Sequence, residues 1–161
     1  MSLSLDGAAG ISGVNGTASA PAIKGTTANT GIFFGTSTAS VTAGGSERLK
    51  VDASGLDITG NVASNAVAVS GYAIDCSLGN YFTKTCDGNS TFTITNVPTS
   101  RAFTIALEVT HTSGTLTWPA AIKWPADTPP TLTAGKTHLF VFVTDDGGTR
   151  WRGAAIVDYV N

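Results

Sequence analysis

Few residues of this 161-residue chain are of the kinds that do chemistry, and those few stand apart. His111 and His138 are separated by a distance along the chain that fits no zinc-ligand spacing, and no G-x-S-x-G elbow accompanies either of them. Cys76 and Cys86 form no CxxC and have no histidine at ligand spacing. They either bridge across adjacent strands or pack as two small buried thiols. His138 alternates with Phe140 and Phe142 and reads as a core or interface histidine. His111, in Thr110-His111-Thr112-Ser113-Gly114, reads as solvated at a hairpin end. Asp145-Asp146-Gly147-Gly148 pairs two carboxylates but lacks the further oxygens of a calcium loop, and turn chemistry explains it. Glycines recur from Gly7 to Gly16, yet no Gly-Lys-Ser/Thr follows, so a phosphate loop is not supported. The expectation is a protein that is not an enzyme and that holds no metal and no cofactor.

The tryptophans are the remaining chemical candidates. Flat aromatic faces suit the apolar faces of sugars, so Trp118, Trp124 and Trp151, with Lys123 beside Trp124, form a candidate receptor or glycan contact. The alternative is that they fill a core or a contact between copies, because other large residues are scarce.

The elements that must position these groups read as strands. Only 12% of the chain is charged, the net charge is −2, and 25 Thr and 14 Ser make up about a quarter of it. No Lys/Arg cluster offers an electrostatic footprint for nucleic acid, and no apolar run is long enough for a membrane helix. The start, Met1 to Gly7, has neither a basic region nor an apolar core, so a secretory signal is not expected.

A composition break near residues 60–71 divides the chain, and the expected domains are 1–70 and 71–161. Before it the aromatics are Phe33 and Phe34; all three tryptophans and all three tyrosines follow it. The first part is too thin to offset its chain entropy alone, so it is either a flexible linker or borrows a core from other copies of itself. Glu47 to Asp52 alternates, with Leu49 and Val51 on one face; Ala53-Ser54-Gly55 is a turn, and Leu56-Asp57-Ile58 resumes the alternation. Gly31-Ile32-Phe33-Phe34-Gly35 is a further short apolar run. Leu49, Val51, Leu56, Ile58, Phe33 and Phe34 are the candidate trimer contacts.

The second part reads as a self-sufficient antiparallel β-sandwich. Tyr72 to Leu78, Thr91 to Thr95 and Ala102 to Thr110 alternate with period two. Leu139 to Val143 is apolar on both faces, which suits a central strand covered on both sides or one at a subunit contact. Asp145 to Thr149 is a hairpin, with Arg150 to Tyr159 as the last strand. The proline-rich stretch from Trp118-Pro119 through Trp124-Pro125 to Pro129-Pro130 is an edge or crossing loop.

Gly31 to Gly35, followed by Gly44-Gly45-Ser46-Glu47-Arg48-Leu49-Lys50-Val51-Asp52-Ala53-Ser54-Gly55, resembles a repeat of bacteriophage tail fibres and related virion appendages. The second part resembles a domain at the ends of fibre-like proteins of cyanobacterial and marine phages. The matching stretches are Gly79 to Thr83, Thr115 to Pro119, Ile122 to Pro125 and Thr144 to Trp151. The resemblance implies a structural protein of the virion, a homotrimer exposed on the particle as a tail fibre or short fibre and touching host surface polysaccharide. With residues 1–25 as its anchoring arm, a capsid head fibre or decoration protein is the alternative, and a lone carbohydrate-binding module is the second. The partners expected are other copies, capsid or tail proteins and host polysaccharide, with no nucleic acid and no membrane insertion.

Overall fold

The structure, a computed structural model, describes residues 4–6, 10–12 and 15–160, with side chains from residue 15 onward. Gly7 and Gly13 of the glycine-spaced stretch, and Met1 to Leu3, lie outside the described residues. The chain is all-β and divides into two compact units, Met1–Ala63 and Ser64–Asn161. The division falls before 70 because Ala66–Ala68 pairs with Tyr81–Thr83 and so belongs to the second unit.

In the first unit, β1 (Ser4–Asp6) and β2 (Gly10–Ser12) pair as a short hairpin. An antiparallel meander follows: β3 (Ile23–Lys24), β4 (Gly31–Gly35), β5 (Thr38–Ala43), β6 (Ser46–Asp52) and β7 (Gly55–Ile58), adjacent in that order. Its turns are local chemistry. Gly44 and Gly45, at φ of 62° and 77°, make the two-residue connection that suits the right-handed twist of a hairpin. Between β6 and β7, the Asp52 carboxylate accepts the Ser54 amide at 2.7 Å and closes the turn.

The second unit has β8 (Ala66–Ala68), β9 (Ala73–Asp75), β10 (Tyr81–Asp87), β11 (Ser90–Thr91), β12 (Thr93–Thr95), β13 (Phe103–Ser113), β14 (Leu116–Thr117), β15 (Ile122–Lys123), β16 (Lys136–Thr144) and β17 (Trp151–Tyr159). Six of them form one sheet in the order β15-β17-β16-β13-β10-β8. Two-stranded pairs, β11 with β14 and β9 with β12, accompany it. Only β13-β16 and β16-β17 are antiparallel; the other pairs of this unit are parallel, which corrects the purely antiparallel expectation. The reason is the connection. Residues 88–102 leave the sheet, form β11 and β12, and re-enter as β13 in the direction of β10, as a crossover requires.

Among the described residues the hydrophobic core lies in this unit. One face of the large sheet contributes Phe82, Ile105, Leu107, Val109, Phe140, Phe142 and Trp151, all at most 1% exposed. Ile74, Phe92 and Trp124 complete it from outside the large sheet, with Trp118 packed against them. The period-two run of β13 buries its odd-numbered residues from Ile105 to His111 and leaves the alternate ones at least partly open.

Candidate functional site

Two surfaces collect the residues singled out from the sequence, one in each unit. The first is a face of the meander. Residues directly paired across strands share a face, and the register aligns Ile23, Ile32, Val41, Leu49 and Ile58 across all five strands. A second row aligns Phe34, Ala39, Val51 and Leu56. Nine apolar side chains therefore make one continuous surface. Seven of them, Ile23, Ile32, Phe34, Val41, Val51, Leu56 and Ile58, are 38–57% exposed.

Of the expected contact residues, Leu49, Val51, Leu56, Ile58 and Phe34 come together here. Phe33 does not. It pairs with Ser40 on the opposite face, because consecutive strand residues point to opposite sides. That opposite face is polar: Ser40 pairs with Lys50 and Lys50 with Asp57. The Lys50 ammonium sits 2.7 Å from Asp57 and 3.1 Å from Asp52, which holds it protonated well above the usual lysine range. Thr42 is fully buried and its hydroxyl donates to the carbonyls of Ala18 and Ser46. One face thus carries charge pairs and hydroxyl groups, with Phe33 among them and the buried Ser40 hydroxyl unpartnered; the other offers only hydrocarbon.

The second surface surrounds Trp118. Leu116, Trp118 and Pro129 are common to two open depressions of about 400 and 250 Å³. The larger reaches Lys123, Trp124 and Asp127, and the smaller reaches His111 and Leu132. The short 3₁₀ turn at the rim, Pro125–Asp127, holds Ala126 and Asp127 at positive φ, a conformation costing non-glycine residues about 1–2 kcal/mol each.

Of the two readings of the tryptophans, sugar contact or core filling, their burial favours the second for Trp124 and Trp151. Trp151 is 1% exposed and Trp124 is 9% exposed, with Trp124 set edge-on to Phe142 at 5.8 Å. Trp118 is half-buried and stacks on Phe92 at 5.1 Å, while Phe140 tilts against it at 4.6 Å. Trp118 and Trp124 are drawn inward because this small unit has few other side chains large enough to fill the space beside Phe140 and Phe142. Lys123 is exposed, and its ammonium donates to the Ala120 carbonyl at 3.1 Å.

His138 is the core histidine that its alternation with Phe140 and Phe142 suggested, whereas His111 departs from its sequence reading. His111 is buried rather than solvated, on the core face of β13, and its ring lies 6.0 Å from that of His138. The Gly114 carbonyl can only accept, so His111 Nε2 donates to it at 2.9 Å. By the same logic His138 Nε2 donates to the Thr133 carbonyl at 3.2 Å, and its Nδ1 accepts the Asp158 amide at 3.2 Å. His138 is fully buried and fastens β16 to the end of β17. Pairing of β13 with β16 brings the two rings together, a meeting that neither local pattern announces.

The paired carboxylates are occupied by the turn. Asp146 Oδ1 accepts both the Thr144 hydroxyl and the Arg150 amide at 3.0 Å, which with Arg150 nearby holds its carboxyl below the usual range. Asp145 lies 3.4 Å from the Arg150 guanidinium. Cys76 and Cys86 are buried free thiols, and burial pushes Cys76 up to about 11. Among the described residues no three His, Cys, Asp or Glu side chains converge on a common point, and no helix is long and apolar enough to cross a membrane. No family model matches the chain, and no curated protein or solved structure matches it either.

Proposed function

We propose that this chain is a structural, non-enzymatic protein of a bacteriophage virion that assembles with copies of itself, as a homotrimer, into a fibre-like appendage. One observation carries the reading: among the described residues, the first unit has no buried large apolar side chain, yet one face of its meander is apolar across all five strands. An isolated sheet of this kind gains too little from burial to offset the ordering of its chain. Packing the face against other copies supplies the missing layer. Fully burying one such side chain contributes about 1.5–3 kcal/mol, so completing the burial of seven half-exposed ones contributes on the order of 7 kcal/mol per chain. The motifs shared with tail-fibre repeats supply the virion half of the reading, with the first unit as stalk or arm and the second as a β-sandwich head.

Placement on the capsid as a head fibre or decoration protein uses the same assembly and differs in the structure to which residues 1–25 attach. A lone carbohydrate-binding module has less support, since Trp124 and Trp151 are core side chains and Trp118 has neighbours on its ring. Light scattering on the purified chain tests the assembly: three chains of 16.3 kDa give about 49 kDa. A monomer at all concentrations overturns it. Antibody labelling of phage particles then tests the placement, and unlabelled particles overturn the virion assignment.

A further inference from the structure

The large sheet of the second unit buries only one of its faces. The other carries Ala106 on β13, Leu139, Val141 and Val143 on β16, and Ala154 and Ile156 on β17. The register places Ala106, Val141 and Ala154 in one row and Glu108, Leu139 and Ile156 in the next. Val143, near the end of β16, is 40% exposed, and Ile156, where β17 has run past β15 and is the edge of the sheet, is 58% exposed. Charges border the apolar stripe on both sides. Glu108 stands on the β13 side of the apolar stripe and accepts the Tyr81 hydroxyl at 3.0 Å. On the other side Arg152 pairs with Val143 and with Lys123 of β15, giving a basic flank. Arg152 comes within 3.9 Å of Asp145, but both side chains are more than 60% exposed, so water screens that pair and leaves the guanidinium free for a stronger partner.

We infer that this face is a second contact between copies of the chain, separate from the meander face, in which Glu108 of one copy meets Arg152 of the next. The inference rests on the self-assembly reading above and extends it to the second unit. Two features select a second copy as the occupant. The stripe is bordered by opposite charges, so it is complementary to itself when the contact is head-to-tail, and around the three-fold axis of a trimer such contacts close into a ring. Assembly through the first unit also holds the second units of neighbouring copies at an effective concentration on the order of millimolar, enough for a small apolar face to stay engaged. Small residues in the central row, Ala106 and Ala154, let the backbones approach.

Sedimentation velocity on the full chain over a dilution series tests it with Ile156→Asp, Arg152→Glu and Leu56→Asp. All three positions are more than half exposed within one chain, so circular dichroism should match the parent protein. The expected result is that Ile156→Asp and Arg152→Glu each dissociate at a concentration at least tenfold higher than the parent. If Ile156→Asp perturbs the fold, Arg152→Glu decides alone. Parent-like dissociation of both, with weakening by Leu56→Asp, overturns the second contact and leaves self-assembly standing; this is also the outcome if a different protein covers the face. A parent protein that is monomeric throughout overturns both.

Discussion

Replacing Val41 and Val51 together by threonine isolates the role of the meander face from the folding of the strands. Valine and threonine have the same shape and both favour extended backbone, so the strands are not disturbed. Within one chain Val41 and Val51 are 41% and 47% exposed, and a hydroxyl there reaches water at little cost. Against another copy it does not. Val41 stands between Ile32 and Leu49, and Val51 between Ala39 and Leu56, so each hydroxyl would be buried among hydrocarbon. Burying a hydroxyl without a partner costs about 1–3 kcal/mol. The double variant therefore loses roughly 2–6 kcal/mol per chain, and at about 1.4 kcal/mol per tenfold its dissociation concentration should rise at least about 30-fold. The assay is analytical ultracentrifugation across dilution, with melting followed at two concentrations, since an assembled state makes the midpoint concentration-dependent. Unchanged dissociation together with an unchanged midpoint would refute the claim that this face is covered by other copies.

Further consequences concern the second unit and the turns. Trp124→Ala should lower stability by about 3–5 kcal/mol in chemical denaturation, as expected for a core aromatic, whereas an exposed ligand platform would lose binding with its stability intact. Gly153→Ala should destabilise by about 1–3 kcal/mol, because a methyl group there meets Ile122 and Trp124 at 3.0 Å; an unaltered denaturation midpoint would contradict that packing. The Asp146 carboxyl is held below its usual value of 3.8 by the Arg150 amide and the Thr144 hydroxyl, so its contribution is complete above that pH and is lost as the pH falls through the lower folded value. Asp146→Asn should flatten the acid limb of stability against pH below about 4, and an identical limb would count against the turn's role. Cys76 and Cys86 should resist alkylation at pH 8 in the native protein and react on unfolding, because burial disfavours both thiolates.

Local pattern carried much of the architecture. Alternation over Glu47 to Asp52, the Ala53-Ser54-Gly55 turn and Leu56 to Ile58 mark β6, its turn and β7, since side-chain period and turn chemistry are written in neighbouring residues. The 39 Ser and Thr residues and the scarcity of charge were enough for an all-β chain, and the shortage of bulk before residue 70 was enough to place the core in the second unit. Strand β5 escaped notice because its alternation runs through small residues, Ala39 to Ala43, with Val41 as the only large one.

What required the tertiary structure was every feature set by which strands meet. Phe33 and Phe34 look equivalent in the chain, yet one pleat separates them onto opposite faces. The parallel pairing of β10 with β13 depends on a crossover that local sequence does not specify. Trp124 could equally have stacked on a ligand; whether an aromatic ring faces solvent or core depends on what arrives opposite it, here Phe140 and Phe142. The meeting of His111 with His138 has the same origin. Residue types and spacing determine a strand and its two faces, because those are short-range properties of the backbone. Which face is covered is a long-range property, decided only when distant strands are brought into register.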